Sequence, residues 1–179
     1  MFATRPTSLA FIDSNLPDIN TLVAGLPAHV EYHVLHPQLP ALQQMVALCA
    51  DRVGLAALHL ICHGAPGELH LGNDIIDLTT LKASRPLLHA LSDAMAEEGE
   101  ILLYGCEVAA GVAGRQFVDT LRSITGLNIA AATHKVGHAD LGGSWELDVA
   151  PEMMQSALQV SEWRGGLGTA SMVDRKSVV

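Results

Sequence analysis

The sequence predicts an α/β fold, a three-layer α/β/α sandwich around a mostly parallel sheet. Three observations lead there. Short aliphatic runs alternate with longer amphipathic stretches from residue 8 to residue 149. The apolar fraction is 49% but aromatics make up only 4%, so the core is built of Leu, Val, Ile and Ala. The length of 179 residues suits one domain, and a domain of that size buries about 70% of its unfolded surface without disulfides or metal.

Each element follows from its pattern. SLAFID (8–13) is a short apolar run ended by the turn-prone Asp13-Ser14-Asn15. DINTLVAGL (18–26) reads as a helix with Asp18 as N-cap and Pro27 as its stop. HVEYHVLH (29–36) alternates as a strand does, and residues 39–52 put Leu42, Met45, Val46 and Cys49 on one helical stripe. AALHLIC (56–62) is a buried strand running into His63-Gly64. ELHLG and DIIDL, parted by Asn73, form a small hairpin. A helical region from Thr79 to Glu97, interrupted near Pro86, precedes the strand EILLYG (100–105) and Cys106. A helix over 108–125 stops at Gly126. NIAAAT (128–133) and SWELDV (144–149) are the last strands. The domain is expected to span 1–163, with 164–179 as a flexible tail.

Composition excludes several classes. A net charge of −9 is the wrong sign for a phosphate-tracking nucleic-acid binder. No run is apolar enough to span a membrane. MFATRPTSLAFIDSNLP lacks the apolar region of a secretory signal. The expected compartment is therefore the cytoplasm by default, with a signal-independent route outward as the alternative. Cys49, Cys62 and Cys106 form no disulfide framework and no Cys-x-x-Cys pair. Glycines 105, 111 and 114 fit neither the dinucleotide fingerprint nor the P-loop, so no cofactor is expected. His134 and His138 would share a helix face, but Gly137 between them argues for a loop, and no metal site is expected. No G-x-S-x-G elbow is present.

Chemistry then concentrates at strand ends, where open parallel sheets place their ligands. One strand runs into His63-Gly64 and a later one into Gly105-Cys106, a base and a nucleophile 43 residues apart. Cys49 and Cys62 lie inside apolar stretches and read as small buried hydrophobes. Cys106 follows its strand between Gly105 and Glu107, just before a helix whose N-terminus would lower a thiol pKa. The Gly64 and Cys106 amides together would form an oxyanion hole.

The strings LHLICHGAPG (58–67) and ILLYGCEVA (101–109) resemble the caspase-like cysteine peptidases, the group of caspases, legumain, gingipains, clostripain and separase. That resemblance implies His63 as catalytic histidine, Cys106 as nucleophile and Gly64 as an oxyanion glycine. A second likeness covers residues 8–150. FIDS, CHGAPGELHLG, LLYGCEVA, AGRQF and LGGSWELD are similar to an uncharacterised bacterial domain found at the N-terminus of long cadherin-like or calcium-repeat surface proteins.

Candidate substrate-binding residues are Asp13, which would select Arg or Lys through a charge-assisted pair, the rival acids Glu107 and Asp140, and Trp145 as a groove wall. The favoured reading of Asp13 is turn or helix-cap chemistry, and Trp145 reads equally as core. The expected activity is endopeptidase hydrolysis through a His63–Cys106 dyad and a thioacyl-enzyme, on a peptide or protein substrate. Self-processing would have Arg164, Arg175 and Lys176 as candidate sites. The alternative is a non-catalytic interaction or secretion-associated module that keeps the cleft.

Overall fold

The computed structural model describes residues 7–151 and 157–168. Its centre is a five-stranded sheet in which every paired neighbour is parallel. The strands are β1 (Ser8–Asp13), β2 (Val30–Leu35), β3 (Leu55–Ile61), β7 (Met95–Tyr104) and β8 (Asn128–Ala130), in the order β2-β1-β3-β7-β8. Alternation sorts their side chains between two apolar clusters. Leu9, Phe11, Leu58, Leu60, Ile101 and Leu103 face one side. Ala10, Ile12, Ala57, Ile61, Leu102 and Tyr104 face the other.

The first cluster is covered by α2 (Ala41–Cys49), α3 (Leu78–Ala83), α4 (Arg85–Asp93) and α5 (Gly111–Thr125), through residues such as Met45, Leu81, Leu91 and Phe117. The second is covered by α1 (Ile19–Ala24) and by irregular chain carrying Trp145, Leu158, Trp163 and Leu167. This is the predicted sandwich, with one layer built largely without regular secondary structure. Gly126 ends α5 in the left-handed conformation at φ 71°, as the sequence predicts, its amide donating to the Arg122 carbonyl at 2.8 Å.

Four local expectations are corrected. Asp18 stands before α1 but in a left-handed conformation at φ 50°, and its side chain makes no capping bond. The helical region expected to run to Glu97 stops at Asp93, because Met95 already pairs with Leu55. The polar Glu97-Glu98-Gly99 bulges out before pairing resumes at Ala57–Glu100. The last helix starts at Gly111 and not at 108. SWELDV is no strand, although Trp145 and Leu147 do turn inward as its alternation predicts. Only Val149 bridges Ala131, and beyond it the Asp148 carboxylate takes the Thr133 amide at 2.8 Å in place of a ladder bond.

The predicted hairpin is present as β5 (Glu68–Leu71) and β6 (Asp74–Ile76). A third strand, β4 (His63–Ala65), extends it, so His63 leaves the main sheet and enters a small antiparallel one opposite His70. Residues 165–167, placed in the tail by the sequence reading, instead pack in: Leu167 is wholly buried and Gly166 bridges Gly137. Arg175 and Lys176 lie outside the described residues.

Candidate active site

The register of β3 on β7 brings the chain segments of both candidate residues to neighbouring strand ends. Leu58 pairs with Ile101 and Ile61 with Tyr104, a constant offset of 43 residues. His63 and Cys106 each follow two residues past the last of these pairs, Ile61–Tyr104. Parity sets the face: Cys106 continues the Leu102 and Tyr104 series into the second cluster. Backbone closeness holds the two ends together. A Cβ added to Gly64 would come within 3.0 Å of the Gly105 Cα and 2.7 Å of Val108 Cγ2, so any larger residue would force these segments apart.

Cys106 is 3% exposed. Its Sγ donates to the Val136 carbonyl at 3.4 Å and accepts from the Val136 amide at 3.2 Å. Burial pushes the thiol up to about 11, against the lowering effect of the Val136 hydrogen bond. This corrects the expectation of a helix-activated thiol. With α5 beginning at Gly111, Cys106 lies in a turn over residues 106–109 ahead of the helix, and dipole effects fade within about one turn. Desolvation therefore decides the protonation state, and the thiol is neutral in this closed arrangement.

His63 is half-buried, and its Nδ1 is shut off from solvent without a hydrogen-bond partner. Burial holds its pKa below the ordinary imidazole value. The Asp13 carboxylate and a backbone hydrogen bond with Gly168 oppose that shift, while His70 adds to it. His63 is thus a neutral imidazole and Cys106 a neutral thiol.

One carbonyl joins the two strand ends through their backbone. The Leu167 oxygen accepts from the Gly64 amide at 2.9 Å and from the Cys106 amide at 3.0 Å. Two backbone donors converging on one carbonyl oxygen at these distances have the geometry of an oxyanion hole. The bound segment is held as an added strand. The Leu167 amide donates to the Val136 carbonyl, and the His138 amide to the Gly165 carbonyl, each at 2.9 Å.

The remaining sequence-predicted residues sit around this centre. Asp13 is 1% exposed, and its Oδ1 accepts from the Asn15 amide at 3.1 Å and the Gly72 amide at 3.0 Å. It clamps the β1 turn to the end of β5. Glu107 follows the thiol in a left-handed conformation at φ 60°, its amide bonded to the His134 carbonyl. Trp145 packs edge-on against Trp163 and near Tyr104, and it borders a cleft of about 240 Å³ with Gly137, His138, Ser144 and Gln159. Asp140 is exposed and pairs with Arg164 at 2.7 Å.

Sequence reasoning missed Val136 and Leu167. The available signal was weak: a Gly-Gly-Leu-Gly run after Trp163, in a stretch without periodicity. It also missed a buried polar chain beneath the site. The Leu158 amide donates to the Tyr104 hydroxyl at 2.7 Å, and that hydroxyl lies 3.1 Å from His59 Nδ1.

Fold and site together define an α/β protein with an all-parallel main sheet, whose carboxyl edge carries a thiol, an imidazole and a two-amide carbonyl cradle. The chain belongs to the family described as Domain of unknown function (DUF4347), whose model matches residues 9–165. No curated protein matches the sequence. Among solved structures, one similar chain is described as a small-chain dehydrogenase. It is 9% identical, the match covers 67% of this chain and 77% of that one, and the TM-score is 0.37.

Proposed function

We propose that this domain is a caspase-like cysteine endopeptidase, with Cys106 as nucleophile, His63 as proton carrier and the Gly64 and Cys106 amides as oxyanion hole. The observation that carries the reading is the Leu167 carbonyl, held by both amides at 2.9 and 3.0 Å. A pair of donors that already binds a peptide carbonyl will bind the tetrahedral oxyanion more strongly, because charge develops on that oxygen in the transition state. Removal of one such donor costs about 3 kcal/mol in known cases.

The protonation states set the first step. His63, kept neutral by burial, takes the Cys106 proton as sulfur attacks the carbonyl carbon. The imidazolium then gives that proton to the leaving amine, and water releases the acyl group from the thioester. The rival reading, an interaction module that retains the cleft, draws on the burial of Cys106 and its raised pKa. Hydrolysis of a mixed fluorogenic peptide library separates the two. The peptidase reading expects turnover that disappears in Cys106→Ala and in His63→Ala. Turnover unaffected by either substitution, or none in the wild type, would sink it.

A further inference from the structure

We propose that the chain is its own substrate, and that the bond cut is Leu167–Gly168. The inference rests on the peptidase reading and names the substrate of that same site. Three features of the segment match a bound substrate rather than an ordinary packed loop.

The first is direction. Residues 165–167 run antiparallel to 136–138, through the Leu167 amide to Val136 and the His138 amide to Gly165, with Gly166 bridging Gly137. Strand addition of this kind presents successive carbonyls in fixed order, and only one of them reaches the cradle. The second is placement about the scissile bond. The Leu167 carbonyl is on the two amides at 2.9 and 3.0 Å, and one of these belongs to Gly64, which directly follows His63 in β4. The nitrogen that must be protonated as it leaves belongs to Gly168, one bond beyond that carbonyl, and the Gly168 backbone acts on His63 as an acceptor that raises its pKa. The third is the side chain. Leu167 is wholly buried, in the apolar cluster that includes Val136, Trp145 and Trp163. Arg164, a basic candidate site, instead points outward with its side chain 75% exposed.

The neighbouring glycines set how closely the two chains approach. A Cβ on Gly137 would lie 2.6 Å from the Gly165 carbonyl oxygen and 2.8 Å from the Gly166 Cα, so only glycine at 137 lets the segment lie against it. The substrate class is then an extended chain like this segment, Gly-Gly-Leu with the leucine buried, cut before glycine. In the reaction the Cys106 S–H bond and the Leu167–Gly168 C–N bond break while a C–S bond forms. The thiol proton passes through His63 to the Gly168 amine. Water then adds to the thioester, returning a proton to sulfur and leaving a carboxylate on Leu167.

The test is intact-mass analysis of the full chain after prolonged incubation, alongside Cys106→Ser and Leu167→Asp, each also offered a peptide containing Gly-Gly-Leu-Gly. The expected result is a wild-type product ending at Leu167 and no such product from either variant. Cys106→Ser, which preserves the hydrogen-bonding shape of the thiol, keeps the loss from being ascribed to misfolding. A wild-type chain that stays intact yet cleaves the peptide through Cys106 would overturn self-cleavage while leaving the peptidase reading standing. An intact chain that also leaves the peptide uncut would overturn both. Cleavage after Leu167 that persists in Cys106→Ser would overturn this proposal as well.

Discussion

The Val136 amide donates to the Cys106 sulfur at 3.2 Å, and the Val136 carbonyl accepts from the same thiol at 3.4 Å. That carbonyl also accepts the Leu167 amide at 2.9 Å. Val136 thus links the Cys106 thiol to the 165–167 segment through one shared carbonyl: lifting the segment leaves that acceptor to the thiol alone. The neutrality of Cys106 belongs to the closed arrangement, because burial is its leading cause.

Opening the cleft should therefore activate the thiol. Gly137 has φ 135°, a conformation that L side chains rarely adopt, and its added Cβ would strike Gly165 and Gly166 at 2.6 and 2.8 Å. Gly137→Ala is expected to displace the segment and raise the rate of Cys106 alkylation by iodoacetamide. Each unit by which the thiol pKa falls multiplies the thiolate roughly tenfold below that pKa. Peptide mapping reads the rate, with buried Cys49, also held at about 11, as internal reference. Equal rates in Gly137→Ala and wild type would show that the segment does not shield the thiol.

Asp13 has two separable roles. Its Oδ1 holds the Asn15 and Gly72 amides, and its charge raises the His63 pKa. Asp13→Asn retains an acceptor oxygen and loses the charge, so it should lower the His63 titration midpoint while keeping most of the stability. Asp13→Ala strands both amides and should cost about 1–3 kcal/mol. Histidine Cε1–H shifts against pH, together with urea melts, measure the two effects. A His63 midpoint that does not move in Asp13→Asn would refute the electrostatic coupling.

Acid should weaken the fold through His59. Burial, with a smaller contribution from His29, lowers its pKa from 6.5 to about 4. The unfolded chain takes up a proton below 6.5 that the folded chain refuses until about 4. Stability from this residue is therefore complete above the higher value and declines as pH falls towards the lower one, by up to about 3 kcal/mol. Urea unfolding across that range checks the slope, which His59→Phe should flatten.

Tyr104 supports the same network. Its hydroxyl accepts from the Leu158 amide, which leaves its own proton for His59 Nδ1. Tyr104→Phe strands the buried partners at little cost in volume, and about 1–3 kcal/mol of stability should be lost. Thermal melts at neutral pH report it. A melting temperature equal to wild type would mean that the chain of hydrogen bonds is not holding residues 157–160 against the sheet.

The α/β class, the order of strands and helices, and the two strand ends carrying His63 and Cys106 were legible from the residues, because each depends on local periodicity or on neighbours in sequence. Boundaries failed where pairing overruled propensity. Met95 reads as helix by pattern yet pairs with Leu55, and SWELDV alternates as a strand but finds only one bridging partner, Ala131.

The state of the site was decided in three dimensions. Sequence placed a thiol before a helix and implied activation; folding buried it under Leu167, some 60 residues further along the chain, and reversed the direction of its pKa. Likewise the Gly64 and Cys106 amides were readable as an oxyanion hole, but nothing local to either marks the carbonyl that fills it. Periodicity reports which face a residue turns inward. Which distant backbone group lies against that face depends on the path of the whole chain, and here that path returned Gly165-Gly166-Leu167 to the cleft.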